Sequence, residues 1–295
     1  METVKGIWKP RRISELLTGV IDYRGKTPPK SSSGIPCISA ANVKNGVVTI
    51  KDKYISEEPY TKWTTRGFIK PGDVLITTEA PVAEVAQVPG DQTYLITRRV
   101  MALQVDPDIA DERFLKYILL DGDNKQKLAN LAHGATVPRV YKEDILDCEL
   151  LMPPLPSQHK IAAILSAYDD LIENNTRRIR ILEEMAQTIY REWFVHFRFP
   201  GHEGVRMVDS GTELGIIPEG WEVNHLVEVC HLLMGQSPKS EFYNSDGEGL
   251  PFHQGVTDFG NRFPTHTKYC TVENRVAEQS DILFSVRAPV GRINL

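Results

Sequence analysis

The chain has 295 residues, 34 Lys+Arg against 39 Asp+Glu for a formal net charge of -5, 41% hydrophobic and 25% charged residues, and a mean hydropathy of -0.28. That composition excludes disorder, collagen and a coiled coil alone, and the length accommodates two domains. No run approaches the roughly 18 consecutive apolar residues of a membrane span, and Lys5, Lys9, Arg11, Arg12 and Arg24 make the first residues too charged for a signal peptide, so a cytoplasmic protein without a membrane partner is expected.

The charge is unevenly distributed. Residues 1–70 carry 13 Lys+Arg against 6 Asp+Glu, a local charge of +7, and the remainder carries -12. A basic segment of this kind is either a solvated face or a surface for a polyanion. Cys37, Cys148, Cys230 and Cys270 are far apart, with no paired spacing for zinc or a disulfide framework, and read as reduced packing residues.

From Ile13 to about Leu150, short β-branched runs are broken by Gly, Pro and Asn. Gly34-Ile-Pro-Cys-Ile-Ser39, Gly46-Val-Val-Thr-Ile50 and Gly72-Asp-Val-Leu-Ile-Thr-Thr78 predict strands. Helices are predicted at Ile13–Leu17 and at Asp111–Leu131, where Phe114, Tyr117, Ile118 and Leu128 recur at helical spacing.

After Leu151-Met-Pro-Pro-Leu-Pro-Ser157 the texture changes, and Ser157 is the expected N-cap of a long helix. Ile161, Leu165, Tyr168, Ile172, Asn175, Ile179, Leu182, Ala186, Ile189 and Trp193 succeed one another in steps of four and three, the seam of a coiled coil about five heptads long. Some 40 residues at about 1.5 Å each make a rod of roughly 60 Å, longer than one small domain, so it needs a partner helix. Asn175 at a seam position would fix register at some cost in stability. The aromatic end, Tyr190-Arg-Glu-Trp-Phe-Val-His-Phe-Arg-Phe199, is either local packing against the second domain or a docking face for a partner.

The third region returns to the texture of the first and repeats it. Pro71-Gly-Asp-Val-Leu-Ile-Thr-Thr-Glu-Ala-Pro-Val-Ala-Glu-Val85 is echoed by Gln279-Ser-Asp-Ile-Leu-Phe-Ser-Val-Arg-Ala-Pro-Val-Gly-Arg-Ile293. Gly34-Ile-Pro36 is echoed by Gly249-Leu-Pro251, Gly25-Lys-Thr-Pro28 by Gly235-Gln-Ser-Pro238, and Trp8 with Ile13 by Trp221 with Leu226. Four echoes in one order define two copies of one fold. The expected class is α+β, with a β-rich domain at 1–152, a linker and long helix at 153–199, and an incomplete second β-rich copy at 200–295. Adding the offset of 208 puts the end of a complete second unit near residue 407, so the chain is expected to be truncated, partial or a half-subunit.

These residues carry a family resemblance. The Ala-Pro-Val repeats, Gly134-Ala-Thr-Val-Pro-Arg-Val-Tyr-Lys-Glu-Asp-Ile145 and, above all, Pro153-Pro-Leu-Pro-Ser-Gln-His-Lys-Ile-Ala-Ala-Ile164 resemble the DNA specificity subunit of a type I restriction-modification system. The resemblance implies two target-recognition domains, each reading half of a split double-stranded DNA site. It also implies helices that pair and dock the modification (methyltransferase) subunits, with the restriction (translocase and nuclease) subunits joining through the complex. Self-pairing through the long helix is a further expected contact.

Within that resemblance the basic segment becomes a DNA surface, since phosphate contacts fix register and base-edge contacts supply specificity. The candidates are Arg24, Lys26 and Lys30 in the loop after Asp22, then Asn42 and Lys44, then Lys62 with Thr64 and Arg66. Thr136, Arg139 and Lys142 come next, in the Gly134–Ile145 segment. In the second copy they are Gln236, Lys239, His253, Gln254, Asn261 and Arg262, together with Arg287. Arg287 stands where the first copy has Glu79, and the simpler reading of that position is solvent.

No catalytic constellation is expected. The chain has no Asn-Pro-Pro-aromatic tetrapeptide, no glycine-rich donor loop after a strand, no nuclease-like acidic set and no zincin histidine pair. Gly19-Val-Ile-Asp-Tyr-Arg-Gly-Lys-Thr27 mimics a phosphate loop but has five residues between its glycines where that motif has four. The resemblance therefore implies a non-enzymatic chain without cofactor or metal, S-adenosylmethionine, ATP and Mg belonging to partner subunits. The competing reading is a non-enzymatic coiled-coil scaffold with two β-rich protein-binding domains.

Overall fold

The computed structural model describes residues 8–23, 31–50, 54–56, 63–90 and 92–295. The chain forms two compact units, Met1–Gln187 and Thr188–Leu295.

The first unit contains β1 (Lys9–Arg12), β2 (Leu17–Asp22), β3 (Ile35–Ile38), β4 (Val43–Lys44), β5 (Val47–Val48), β6 (Tyr54–Ile55), β7 (Val74–Thr78), β8 (Val82–Gln87), β9 (Leu95–Ile96), β10 (Val100–Val105) and β11 (Glu149–Met152). Its helices are α1 (Glu112–Leu120), α2 (Gly122–Asn130), α3 (Lys142–Asp147) and the long α4 (Leu155–Tyr190). The central sheet is antiparallel in the order β2-β10-β7-β8, beside a smaller sheet β6-β3-β9 in which β3 and β9 run parallel.

Successive strand residues point to opposite faces, and here both faces are covered. Val74, Ile76, Met101 and Leu103 pack with Phe114, Leu115 and Leu119 of α1. Their neighbours Leu75, Val100 and Ala102 pack on the other side with Ile38, Ile55 and Leu95 of the smaller sheet. Double coverage explains why all five residues of β7 are buried, Thr77 and Thr78 included. Leu103 is fully buried on the helical face, so Leu103→Ala is expected to cost about 2–5 kcal/mol, measurable by denaturant melting.

Several boundaries differ from those read off the sequence. Ile13–Leu16 is a single 3-10 turn, and Leu17 already belongs to β2. The helix expected over Asp111–Leu131 is two helices, because Asp121 takes an extended ψ between them and accepts from Asn124 N at the start of α2. Ser157 is not the N-cap of α4. The helix begins at Leu155, and the carbonyl of Pro154 accepts from Ser157 N (2.8 Å) and Gln158 N (3.1 Å). Pro156 is tolerated in the first turn, where its missing N–H has no intrahelical partner to lose.

The long helix presents two faces. Gln158, Ala162 and Ser166, four residues apart, are buried against the first unit. The adjacent seam is exposed from Leu165 through Tyr168, Ile172, Asn175, Ile179, Leu182 and Ala186 to Ile189 and Trp193, and only Ile161 packs partly on the unit's own core. Ile164, Leu171 and Met185 widen the exposed apolar stripe. The compact division, between Gln187 and Thr188, falls in the last turn of the helix, so nearly all of it belongs to the first unit.

Those turns are tied to α1 by polar bonds. Asp111 caps α1 by accepting from Phe114 N (2.9 Å), its other oxygen meets His159 Nδ1 (2.8 Å), and its own N–H donates to Gln158 Oε1 (3.0 Å). Arg113 donates to Ser166 Oγ (3.2 Å), and Lys116 Nζ and Tyr117 Oη both donate to Asp169 Oδ2 (2.7 Å each). Burial alone would raise the Asp169 pKa, but the hydrogen bonds from Lys116 and Tyr117 and the lysine charge hold it below the usual carboxylate range. Burial, and then the bond to Asp169, push the Tyr117 phenol up, so it stays a donor. A depressed folded-state pKa gives a stabilisation present above the unfolded value and lost as pH falls through the folded one. Wild type is therefore expected to lose more stability than Asp169→Asn between pH 5 and pH 3 in thermal melts.

The second unit contains β12 (Met207–Asp209), β13 (Ile216–Pro218), α5 (Leu226–Val229), β14 (Tyr243–Asn244), β15 (Leu250–Pro251), β16 (Tyr269–Cys270), β17 (Leu283–Phe284) and β18 (Ile293–Asn294). At the end of the helix, Phe194, Phe197 and Phe199 lie 5.5–5.7 Å from the Trp221 ring, the last stacked at 19°, so these rings pack locally within this unit, while Tyr190 and Trp193 stay exposed.

The repeat holds bond by bond. Asp73 Oδ2 accepts from Lys70 N and Asp281 Oδ2 from Glu278 N, both at 2.8 Å. Thr77 Oγ1 accepts from Glu84 N (2.9 Å), and Ser285 Oγ from Arg292 N (2.8 Å). Ile35 pairs with Ile55 and Pro36 with Tyr54, as Leu250 pairs with Cys270 and Pro251 with Tyr269. Both glycines that precede these strands have positive φ, and a Cβ on Gly34 would collide with the Ile55 carbonyl as one on Gly249 would with that of Cys270. The Ala80–Pro81 and Ala288–Pro289 bonds are both cis. The copies part company in burial: Val74 and Ile76 are 0% and 1% exposed, their equivalents Ile282 and Phe284 67% and 56%. β7 lies between β10 and β8, whereas β17 pairs only with β18 among the described residues.

Candidate nucleic-acid interface

Three segments of the first unit converge at the end of β7. Thr78 N donates to the carbonyl of Arg99 (3.0 Å), in the turn between β9 and β10, and Val140 N donates to the carbonyl of Thr78 (2.9 Å). Glu79 bridges to Arg139 through the backbone, and its carboxylate meets Arg99 at 2.8 Å. Reciprocal backbone bonds between His133 and Arg139 (2.8 and 2.9 Å) close the loop that carries Thr136, with Gly134 at φ 95° opening it. Ala80 and Ala83, at φ 47° and 58°, take a backbone that residues with a Cβ seldom adopt.

The junction carries arginines with aromatic and hydroxyl groups beside them, and the carboxylates of Glu79 and Asp144 pair with Arg99 and His133. Arg98 is exposed and has no ion pair among the described residues. Arg139 is exposed, donates to Tyr141 Oη (3.2 Å), and lies over the Tyr141 ring at 5.0 Å. Thr136 is exposed, and Lys142 is half-buried as the first residue of α3. His133 Nε2 lies 3.1 Å from Asp144 Oδ2, tying the loop to α3. Planar guanidiniums held in place by neighbours suit bidentate contact with phosphate.

The other sequence candidates divide. Asn42 is corrected: at 3% exposed, its Oδ1 accepts from Ser39 N (2.9 Å) and its Nδ2 donates to Thr49 O (2.6 Å), so the amide is spent on capping a 3-10 turn and offers no edge to a base. Its counterpart Asp258, also buried, accepts from Thr265 N as Asn42 O does from Thr49 N, both at 2.8 Å. Lys44 is exposed, but the turn after it, Asn45–Gly46, lines a cavity of about 350 Å³ with Tyr117, Leu120, Leu165 and Tyr168 at the base of the long helix. Arg66 donates to the carbonyl of Asp22 (2.8 Å), where β2 ends. Arg24, Lys26, Lys30 and Lys62 lie outside the described residues.

In the second unit Lys239 is exposed beside Glu241 (3.9 Å), Gln254 donates to Ser237 Oγ (3.2 Å), and Arg287 is exposed. Arg98 and Arg99 escaped the sequence reading, although a paired arginine between two apolar runs, Tyr94-Leu-Ile96 and Val100-Met-Ala-Leu103, was the available signal. Among the described residues no group of three His, Cys, Asp or Glu is placed to hold a metal ion, and no helix is long and apolar enough to cross a membrane.

A β-rich unit with arginines at a loop junction, extended by a solvent-exposed helix, defines an α+β protein. A family model for the type I restriction modification DNA specificity domain matches residues 6–184, and the chain belongs to that family. It is 28% identical over 295 residues to the MjaX specificity subunit assigned to a type I restriction enzyme of Methanocaldococcus jannaschii, across 98% of this chain and 68% of the relative. The MjaIX specificity subunit of the same organism is 28% identical over 214 residues, 72% of this chain and 48% of that protein. The chain thus spans about half to two thirds of the length of these relatives. A crystal structure of a type I restriction-modification S subunit from M. genitalium shares the fold, with a TM-score of 0.58, 17% identity, and coverage of 97% of this chain and 68% of that one. The family match decides against the scaffold reading.

Proposed function

We propose that this chain is the non-catalytic, sequence-reading subunit of a type I restriction-modification complex, and that its first unit reads one half of a bipartite double-stranded DNA site. The observation that supports the reading is the meeting of Thr78, Arg99 and Val140 inside the family-matched span, with Arg98 exposed next to Arg99 and with Thr136, Arg139 and Lys142 in the segment that carries Val140. Phosphate contacts from these groups would set register, and base-edge contacts from the surrounding loops would supply specificity.

The helix then acts as spacer and docking element. Its exposed seam takes a partner helix, a second copy or the corresponding segment of an assembled subunit, and the modification subunits dock on the resulting pair. Restriction subunits join through that complex in the cytoplasm. S-adenosylmethionine, ATP and Mg belong to those partners, and this chain contributes placement alone.

The test is selection from a random duplex pool by the chain co-expressed with type I modification (methyltransferase) subunits. Enrichment of two short motifs at fixed separation is expected. A pool with no enriched motif, bound by a complex shown to be assembled, contradicts the reading.

A further inference from the structure

Lys116 is unusual for a surface domain: its side chain is 8% exposed, and its ammonium is spent on Asp169 of the long helix. Burying a charge is costly unless it is paired, and an apolar residue of similar size would hold the helix as well or better. What the ion pair adds is direction, because two donors, Lys116 Nζ and Tyr117 Oη, meet one carboxylate oxygen at 2.7 Å each. Asp169 lies three residues beyond Ser166, the last buried residue of α4, and every residue from Leu171 to Tyr190 is exposed. The bond is the outermost of the ties between α4 and α1, beyond those of Gln158 and His159 to Asp111 and of Ser166 to Arg113, and so the last fixed point, the pivot, before the exposed rod.

We propose that Asp169, held by Lys116 and Tyr117, is a positioning residue that fixes the direction in which the rod leaves the β-rich body of the first unit, and through it the half-site separation that the subunit accepts. The second clause rests on the DNA-reading function proposed above. From residue 169 to 190 the helix runs roughly 30 Å at about 1.5 Å per residue, so a 10° swing at the pivot moves its far end by about 5 Å. That exceeds one base-pair rise of about 3.4 Å, so loss of the bond is felt as a change of spacing before it is felt as loss of fold.

The test uses the full chain and its complex. Spin labels are placed on exposed Asp108→Cys and Glu183→Cys in a Cys230→Ser background, and the distance distribution is read by electron–electron double resonance. Asp169→Asn is compared with Lys116→Met/Asp169→Leu, which replaces the pair by apolar groups and stays folded if the single change does not. A single narrow distance is expected for wild type and a distribution at least twice as wide for the double variant. In the reconstituted complex, wild type is expected to methylate one spacer length and the variant to spread over neighbouring lengths by one or two base pairs. An unchanged distance width overturns the pivot. A broadened distance with unchanged spacer choice overturns its role in spacing. Failure of the wild-type complex to bind bipartite DNA counts against the proposed function instead, since the distance measurement still reads the pivot.

Discussion

Ile172→Asp combined with Ile179→Asp is expected to abolish assembly through the long helix while leaving the first unit folded. Both side chains are more than half exposed on the isolated chain, so the substitutions remove nothing from its own core. In a paired helix the same positions face the partner, and each aspartate would bury a charge without a counterion, a cost of several kcal/mol per ion. Together they weaken pairing beyond about a thousandfold at roughly 1.4 kcal/mol per factor of ten. Light scattering of the chain and co-purification with the modification subunits read the loss, with Glu173→Gln, off the seam, as control. Retained assembly at unchanged concentration dependence would remove the pairing role of the seam.

Arg98→Ala with Arg139→Ala is the second large effect expected. Each guanidinium is exposed beside the β7 junction, and a charge-assisted hydrogen bond to phosphate contributes about 1.5–3 kcal/mol. Each change should weaken the assembled complex about tenfold or more across all sequences bound and lower the salt slope by about one. Asn42→Ala supplies the contrast. Its amide caps an internal turn, so it should lower the melting temperature and leave the salt slope as it is. Affinity unchanged in the double arginine variant would move the DNA surface away from this junction.

The parts legible in the sequence are those where local chemistry dictates geometry. Gly34 and Gly249 could be matched because a Cβ at either meets a backbone carbonyl, and Asp73 and Asp281 because each closes the same turn onto the N–H three residues earlier. The seam was legible because its period belongs to the helix alone. What escaped depends on contacts distant in sequence. Asn42 reads as a polar residue after a strand, and only the folded turn shows both ends of its amide occupied. Arg99 gains its meaning from Glu79, and Lys116 from Asp169, 53 residues further on. The Asp111–Leu131 periodicity concealed a break at Asp121, whose extended ψ interrupts the helix without disturbing the apolar spacing.

Charge was the most misleading single quantity. The net -5 argues against a polyanion, yet the first 70 residues carry +7, and the junction adds Arg98, Arg99, Arg139 and Lys142 from beyond that segment. A surface assembled from three distant stretches cannot be summed from any one of them. Under the proposed function, its expected consequence is a salt dependence set by local cations, whatever the whole-chain charge.

The most direct measurement is the affinity of the assembled complex for its bipartite duplex between 50 and 200 mM salt, conditions chosen because about 0.9 counterions are released per neutralised phosphate. A specificity subunit that meets six or more phosphates gives a slope of log K against log salt near -5 or steeper, and a duplex carrying one half-site alone binds far more weakly. A flat salt dependence, or equal affinity for duplexes with and without the two half-sites, would contradict the account.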